Sequence, residues 1–386
     1  MLISVGLCFA SATRAASPIP KKIENPPSLP IVPASFESLL VIDDASGVTL
    51  YERNATSIHS GASLTKLMTA RVFTSTPTNW EANGSILKSD EVGGGRLRVS
   101  SGSVMTLRDV LYSAIIGSAN NAAMAMARMF DGKGMPAFIA RMNATAKTLG
   151  LAQASYVEPS GMDAKNLISA RDIATLINAD SKDPEISRAM TSPTYSFVVK
   201  KPKLAKTIKN TNELLFTAPD VTVHAGKTGY IEESMYNFAT RISPKGDPSK
   251  TVTVVVFGAP SRLESMTAAH QLANWAWSAY DWTASAGSAP TLARDLGVGD
   301  RGADVTALQK FLNTHEAVIA KSGPGSPGKE TSLFGEMTRI ALAKYQEAHR
   351  AEILTPHGAK TGYGYLDAVT RAYIQADAVG GMLAKK

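Results

Sequence analysis

The chain has 386 residues, 44% of them hydrophobic and 19% charged. That is enough apolar material for two folded units and too ordered a composition for an intrinsically disordered protein. The net charge is +7, but the lysines and arginines are scattered and no basic run is interleaved with aromatics. This excludes the footprint of a nucleic-acid binder and fits either mild attraction to an anionic envelope polymer or no binding role at all.

Residues 1–16 open on an apolar run (Leu2, Ile3, Val5, Leu7, Phe9, Ala10) and close in small residues around Ala15 and Ala16. That pattern predicts a secretory signal peptide cleaved at this point. No basic residue precedes the run, so the true start codon is expected upstream. Cys8 is the only cysteine and lies inside this segment. The mature chain is therefore expected to hold no disulfide, no thiol nucleophile and no thiolate metal site, and no cofactor is called for. No later apolar stretch is long enough to span a bilayer, and the tail 378–386 is too short for an amphipathic anchor. The expectation is an exported protein without a transmembrane anchor, in the periplasm or cell wall.

Residues 17–33 carry Pro18, Pro20, Pro26, Pro27, Pro30 and Pro33 and read as an extended linker. Strands at 39–42 and 48–51 flank a turn at 43–47 and form a hairpin. Residues 63–73 read as a helix with Leu64, Leu67, Met68 and Val72 inward. Thr106 and Asp109 form a capping-box-like start for a helix through Ile116. Helices follow at 120–130, 136–149 (ended by Gly150) and 170–178. Strands at 237–242 and 251–258, the latter rich in β-branched residues, precede a helix at 262–280. Strands, then helices, then strands make an α+β unit in which one antiparallel sheet joins both ends. Residues 285–291 are a small-residue linker. Beyond it, short amphipathic helices at 305–312, 338–346 and 366–374, each after a Gly-containing turn, predict a small all-α module, with 322–328 a mobile loop. The domains are thus placed at 34–284 and 292–376.

Three short motifs carry the chemistry: Ser63-Leu64-Thr65-Lys66, Ser118-Ala119-Asn120 and Lys227-Thr228-Gly229. On a helix the first puts a hydroxyl and an amine one turn apart on one face. A serine hydroxyl is a poor nucleophile and needs a base. His59, His224, His270, His315, His349 and His357 are scattered without a triad context, so Lys66 is the candidate. To accept a proton it must be neutral, with its pKa lowered by burial, a helix N-terminus or a second cation such as Lys227. Ser118 suits proton relay, and Asn120 suits amide recognition or holding Lys66. Lys227 and Thr228 suit a substrate carboxylate. Gly229 admits an extended peptide beside the strand edge, and the N–H groups of Ser63 and Tyr230 suit an oxyanion hole. Each motif alone is more often a plain helix start, a turn or a strand; their conjunction in this order is what points to acyl transfer.

Over residues 36–282 that conjunction resembles the serine-type D-alanyl-D-alanine carboxypeptidases, the low-molecular-mass penicillin-binding proteins. The resemblance extends to Gly94-Gly95-Arg96-Leu97, Met142-Asn143, Glu158-Pro159-Ser160-Gly161-Met162 and Asn210-Thr211-Asn212. It implies a β-lactamase/transpeptidase-like catalytic domain. It also implies removal of the terminal D-Ala from peptidoglycan stem peptides through an acyl-Ser63 intermediate, and acylation of Ser63 by β-lactams. By the same resemblance Arg262 falls near the carboxylate pocket. After Tyr230 this chain continues Ile231-Glu232-Glu233-Ser234-Met235 where the family has a Thr and an Ala-Gly pair, a bulkier and more acidic loop that bears on substrate preference. The C-terminal module resembles helical peptidoglycan-binding domains through Leu296-Gly297, Leu308-Gln309, Phe334-Gly335, Thr338 and Tyr345-Gln346, which implies the wall polymer as a partner. The alternatives are a DD-endopeptidase using the same machinery, a β-lactamase with Glu158 holding a hydrolytic water, and a catalytically silent wall-binding protein.

Overall fold

Valine-rich sequence at 252–256 builds the middle strand of the main sheet. The computed structural model describes residues 20–30, 32–76, 78–282, 292, 294–315, 317–355 and 358–380, the last five as backbone only. The expected signal peptide and the 285–291 linker lie outside the described residues. The chain divides into two compact units, Lys22–Asp281 and one that takes in Trp282–Lys386.

In the first unit, strands β1 (Ser38–Asp43), β2 (Thr49–Arg53), β3 (Val221–Ile231), β4 (Met235–Pro244) and β5 (Val252–Ala259) form an antiparallel sheet of order β3-β4-β5-β1-β2. Pairing of Val255 with Leu40 and Val256 with Leu39 joins the two ends of the unit. Every residue of β5 is buried, because helices cover both faces of the sheet there. The strand carrying Lys227 is the sheet edge, and the expected strands at 237–242 and 251–258 form as β4 and β5 beside it.

Helix α1 (Thr65–Thr74) buries eight residues, among them Lys66, Leu67, Met68, Thr69 and Phe73. It is a central helix with almost no solvent face. Around it lie α2 (Leu107–Ile115), α3 (Asn120–Met129), α4 (Met135–Thr148), α5 (Ala170–Asp180) and α6 (Pro184–Thr191). The box at Thr106 forms as expected: its side chain accepts from the Asp109 N–H, and Asp109 Oδ2 accepts from the Thr106 N–H. After the short turn α7 (Leu214–Thr217) and the last strands, α8 (Arg262–Ala279) closes the unit, its N-terminus capped by Ser261. Sequence periodicity did not reveal α6, α7 or a two-stranded hairpin formed by Thr194–Val199 and Leu204–Lys209.

The second unit contains α9 (Ala303–Thr314), α10 (Glu336–Ala348) and α11 (Ala368–Gly380) around a core of Leu296, Val305, Leu308, Phe334, Leu342, Tyr345 and Leu366. One polar device occurs twice. Gln309 Nε2 donates to Leu333 O and Thr338 Oγ1 while its Oε1 accepts from Thr331 N. One helix later, Gln346 Nε2 donates to Tyr365 O and Thr370 Oγ1 while its Oε1 accepts from Tyr363 N and Gly364 N. Each buried glutamine thus satisfies the loop leading to the next helix, and the unit is an internal repeat. The loop at 322–328 is tied down by Gly325 N→Lys329 O and Asn313 Nδ2→Gly325 O.

Candidate active site

The nucleophile candidate sits in a tightly packed turn. Ser63 is the middle residue of a 3-10 turn, Ala62–Leu64, that runs directly into α1. Ala62 before it holds φ of +44°, a left-handed backbone unusual for alanine. Behind it stands Gly161, at φ +81°, where an added Cβ would lie 1.9 Å from the Ala62 carbonyl oxygen. On the other side, a Cβ on Gly229 would lie 3.1 Å from Gly61 O. At Gly161 only glycine allows this approach, while at Gly229 a side chain would press on the backbone of the Ser63 turn.

Lys66 lies one turn on and is fully buried. Its Nζ donates to Ser63 Oγ at 2.8 Å, Asn120 Oδ1 at 2.6 Å and Ser160 O at 2.5 Å. Burial pushes its pKa down to about 7, with the charge of Glu158 opposing. Of the causes expected from the sequence (burial, a helix N-terminus or a second cation such as Lys227), burial in the all-round packed α1 is the one that lowers Lys66. When neutral, the amine has two N–H groups and one lone pair. Asn120 and the Ser160 carbonyl can take the two N–H groups, which leaves the lone pair for the Ser63 hydroxyl proton.

The partners of Lys66 are themselves fixed. Asn120 Nδ2 donates to Gly93 O at 2.8 Å, so Oδ1 is the end that must face the amine. Thr69, one further turn along α1, donates to Pro159 O at 2.6 Å, beside the carbonyl that Lys66 uses. Glu158 accepts from the N–H and hydroxyl of Ser160, from Gly161 N and from Asn166 Nδ2. It therefore serves as the internal brace of the 158–161 turn, and it is not among the residues lining the cleft.

The second and third motifs meet across the cleft. Lys227 Nζ donates to Ser118 Oγ and to Thr228 O, each at 2.8 Å. Among the described residues its third N–H has no acceptor. Burial holds the Lys227 pKa well below the ordinary lysine value, and the charges of Lys66 and Arg262 add to it. An anion bound there would push it back up. Ser118 holds φ of +55° two residues before α3 begins, ahead of the N-cap Ala119. Thr228 Oγ1 donates to Thr211 Oγ1 at 2.8 Å.

A cleft of about 540 Å³ opens over these groups, and Ser63, Ser118, Asn120, Thr228, Gly229, Tyr230 and Arg262 line it. Lys66 and Lys227 reach it from beneath, through the hydroxyls of Ser63 and Ser118. All nine residues singled out in the sequence thus converge. Arg262 stands at the start of α8, half exposed, 3.8 Å from Glu213. Tyr230 stacks on Tyr236 with ring centroids 4.3 Å apart at the rim, beside the exposed Glu232 and Glu233. Sequence reasoning assigned no role to Ser160, Thr211, Tyr236 or Asn237. Asn237 Nδ2 donates to Ser60 O and its Oδ1 accepts from Gly258 N, so it fastens the strand leading to Ser63 onto the sheet.

Comparison with known proteins meets this geometry. The family described as D-alanyl-D-alanine carboxypeptidase, peptidase family S11, matches residues 25–261. The chain belongs to that family. It is a serine-type peptidase of the S11 group. It is 33% identical over 261 residues to a D-alanyl-D-alanine endopeptidase of Pseudomonas aeruginosa, covering 67% of this chain and 82% of the relative. To the D-alanyl-D-alanine carboxypeptidase DacF of Bacillus subtilis it is 30% identical over 258 residues, 64% of this chain and 63% of the relative. The Streptomyces K15 DD-transpeptidase structure superposes with a TM-score of 0.59 at 24% identity, over 66% of this chain and 99% of that one. The α+β fold of the first unit is that of the penicillin-binding catalytic domains.

Proposed function

We propose that the protein is a D-alanyl-D-alanine carboxypeptidase that trims peptidoglycan stem peptides through an acyl-Ser63 intermediate. The observation that carries this is the three-way clamp on Lys66. Two acceptors for its N–H groups leave the lone pair directed at Ser63, and burial makes the neutral form accessible near neutral pH.

The reaction then runs as follows. Ser63 Oγ attacks the carbonyl of the penultimate D-Ala while its proton passes to Lys66 Nζ. The N–H groups of Ser63 and Tyr230 receive the oxyanion. The C–N bond breaks, and the departing amine takes a proton from Lys66 by way of the Ser118 hydroxyl. Lys227, Thr228 and Arg262 hold the terminal carboxylate, which occupies the unfilled N–H of Lys227. Water then attacks the ester with Lys66 again as base, releasing the shortened peptide and restoring Ser63. β-Lactams, with a carboxylate beside a strained amide, enter the same path and stop at the acyl-enzyme.

A second reading is favoured by a particular finding: the relatives from Pseudomonas aeruginosa and Escherichia coli, at 33% and 29% identity, are both D-alanyl-D-alanine endopeptidases. Cleavage of a crosslink uses the same steps with a larger leaving amine. Mass spectrometry of muropeptides after incubation separates the two. Loss of one alanine from pentapeptides is the expected outcome, whereas conversion of dimers to monomers makes the enzyme an endopeptidase. A β-lactamase is disfavoured because Glu158 is spent on its own turn.

The apolar segment at 1–16 supports export to the periplasm or wall, and among the described residues no helix is long and apolar enough to cross a membrane. The repeated helical unit supports anchoring on peptidoglycan. Retention of the full chain on purified sacculi, lost on truncation after Asp281, tests that role.

A further inference from the structure

The hairpin of Thr194–Val199 and Leu204–Lys209 gathers charge that looks scattered along the chain. Between Ser192 and Asn212 there are five lysines (Lys200, Lys201, Lys203, Lys206 and Lys209) and no Asp or Glu. This corrects the reading of the basic residues as evenly spread. Among the described residues none of the five makes an ion pair. Lys200 donates to the neutral amide of Asn83 at 2.7 Å, and Lys209 lies over the Phe216 ring at 4.5 Å. No described acidic side chain therefore neutralises this charge.

The tip is also held in place. Lys200 N donates to Val104 O, and Val104 N donates to Lys201 O at 2.8 Å. One face of the hairpin, with Phe197 and Val199, packs inward. At the same end, Val198 and Leu204 are 50% and 43% exposed. Two exposed apolar side chains thus stand among three tip lysines on a fixed support.

We infer that this hairpin tip docks the catalytic unit on an anionic phospholipid surface. The chemistry distinguishes a bilayer from a hydrated polyanion. Each lysine near an anionic leaflet gains attraction that falls off within a Debye length. Val198 and Leu204 gain only where an acyl boundary lies beneath the headgroups, as in interfacial anchoring generally. A wall polymer has a use for the lysines and none for the two apolar residues. The contact is reversible and independent of the reaction at Ser63, since none of these residues lines the cleft.

Vesicle co-sedimentation of the full chain tests it, with phosphatidylglycerol–phosphatidylcholine vesicles against phosphatidylcholine alone. Binding is expected to the anionic vesicles only, weakening as salt rises. The triple variant K200Q/K201Q/K203Q should lower that partition about 100-fold. K133Q/K147Q/K245Q, which removes the same charge elsewhere on the unit, should lower it far less. V198S/L204S should leave the charge intact and still weaken binding. Unchanged acylation by a fluorescent penicillin shows that each variant is folded. Equal losses in the two triple variants overturn the proposal, as does absence of binding to anionic vesicles. Binding to sacculi that depends on the tip lysines, without vesicle binding, overturns it in favour of the wall polymer.

Discussion

Ser118 and Lys227 sit 2.8 Å apart, oxygen to nitrogen, across 109 residues of sequence. They reproduce on the far side of the cleft the pairing that Ser63 and Lys66 make within one helical turn. The two amines are placed for different work. Lys66 has all its N–H groups matched to acceptors, whereas Lys227 keeps one unmatched among the described residues and faces where a substrate carboxylate would lie. Lys227→Ala is therefore expected to lower kcat/KM for carboxylate-terminated peptides by about 100-fold, the loss expected of a charge-assisted hydrogen bond in a buried site. The wild type should discriminate strongly against the same peptide with an amidated end, and the variant should not. Equal kcat/KM ratios for acid and amide substrates in both proteins would rule out this role.

Lys66→Met removes the base and keeps the volume. General-base catalysis contributes about 10²–10⁴-fold, so stopped-flow acylation by a β-lactam should slow by that range. Lys66 must be neutral to take the proton. Its pKa of about 7 therefore predicts an acylation rate that climbs with pH through that value and levels off above it. A rate independent of pH across neutrality would exclude Lys66 as the titrating base.

The same displacement predicts a stability profile. Between about 7 and the ordinary value of 10.5, the unfolded chain binds a proton at Lys66 that the native chain lacks. Stability rises with pH wherever the unfolded state binds more protons. Urea midpoints should therefore increase across this window and be flat just below it as far as Lys66 is concerned. Lys227 is displaced in the same direction, so Lys66→Met should remove part of the slope and not all of it.

Gly161→Ala tests the close approach behind the nucleophile. The new Cβ would fall 1.9 Å from Ala62 O, and φ of +81° disfavours any side chain. Neither backbone can yield without moving Ser63. A loss of about 3 kcal/mol or more is expected, with slower acylation in whatever remains folded. Thermal unfolding and penicillin labelling check both parts.

The sequence made the side-chain half of this site legible and left the backbone half hidden. Ser63 and Lys66 were readable because helical spacing brings them together, and Thr106 and Asp109 because a capping box is local. The carbonyls of Ser160 and Gly93, which orient Lys66 and Asn120, carry no side-chain signature and come from distant loops. The strand holding Lys227 gave a weak signal because Gly226 and Gly229 dilute its β-propensity, yet Gly229 packs against the Ser63 turn with little room for a side chain. In the 194–209 hairpin, Pro202 and the run of lysines masked the alternation of Tyr195, Phe197 and Val199 against Ile208.

Glu158 separates the peptidase from a hydrolase of antibiotics. In a β-lactamase a carboxylate holds the water that attacks the acyl-enzyme, so its loss leaves the enzyme trapped after acylation. Here both carboxylate oxygens are engaged within the 158–166 segment, by Ser160, Gly161 and Asn166. The turn they brace carries the carbonyl that positions Lys66. Glu158→Gln should therefore slow formation of the penicilloyl-enzyme and lower stability by about 1–3 kcal/mol for the unsatisfied groups it leaves. It should leave the lifetime of the penicilloyl-enzyme, once formed, within a few-fold of wild type. The decisive measurement is that lifetime, followed by intact-protein mass after removal of free penicillin. A large increase in the variant would make Glu158 the base of deacylation and the protein a β-lactamase.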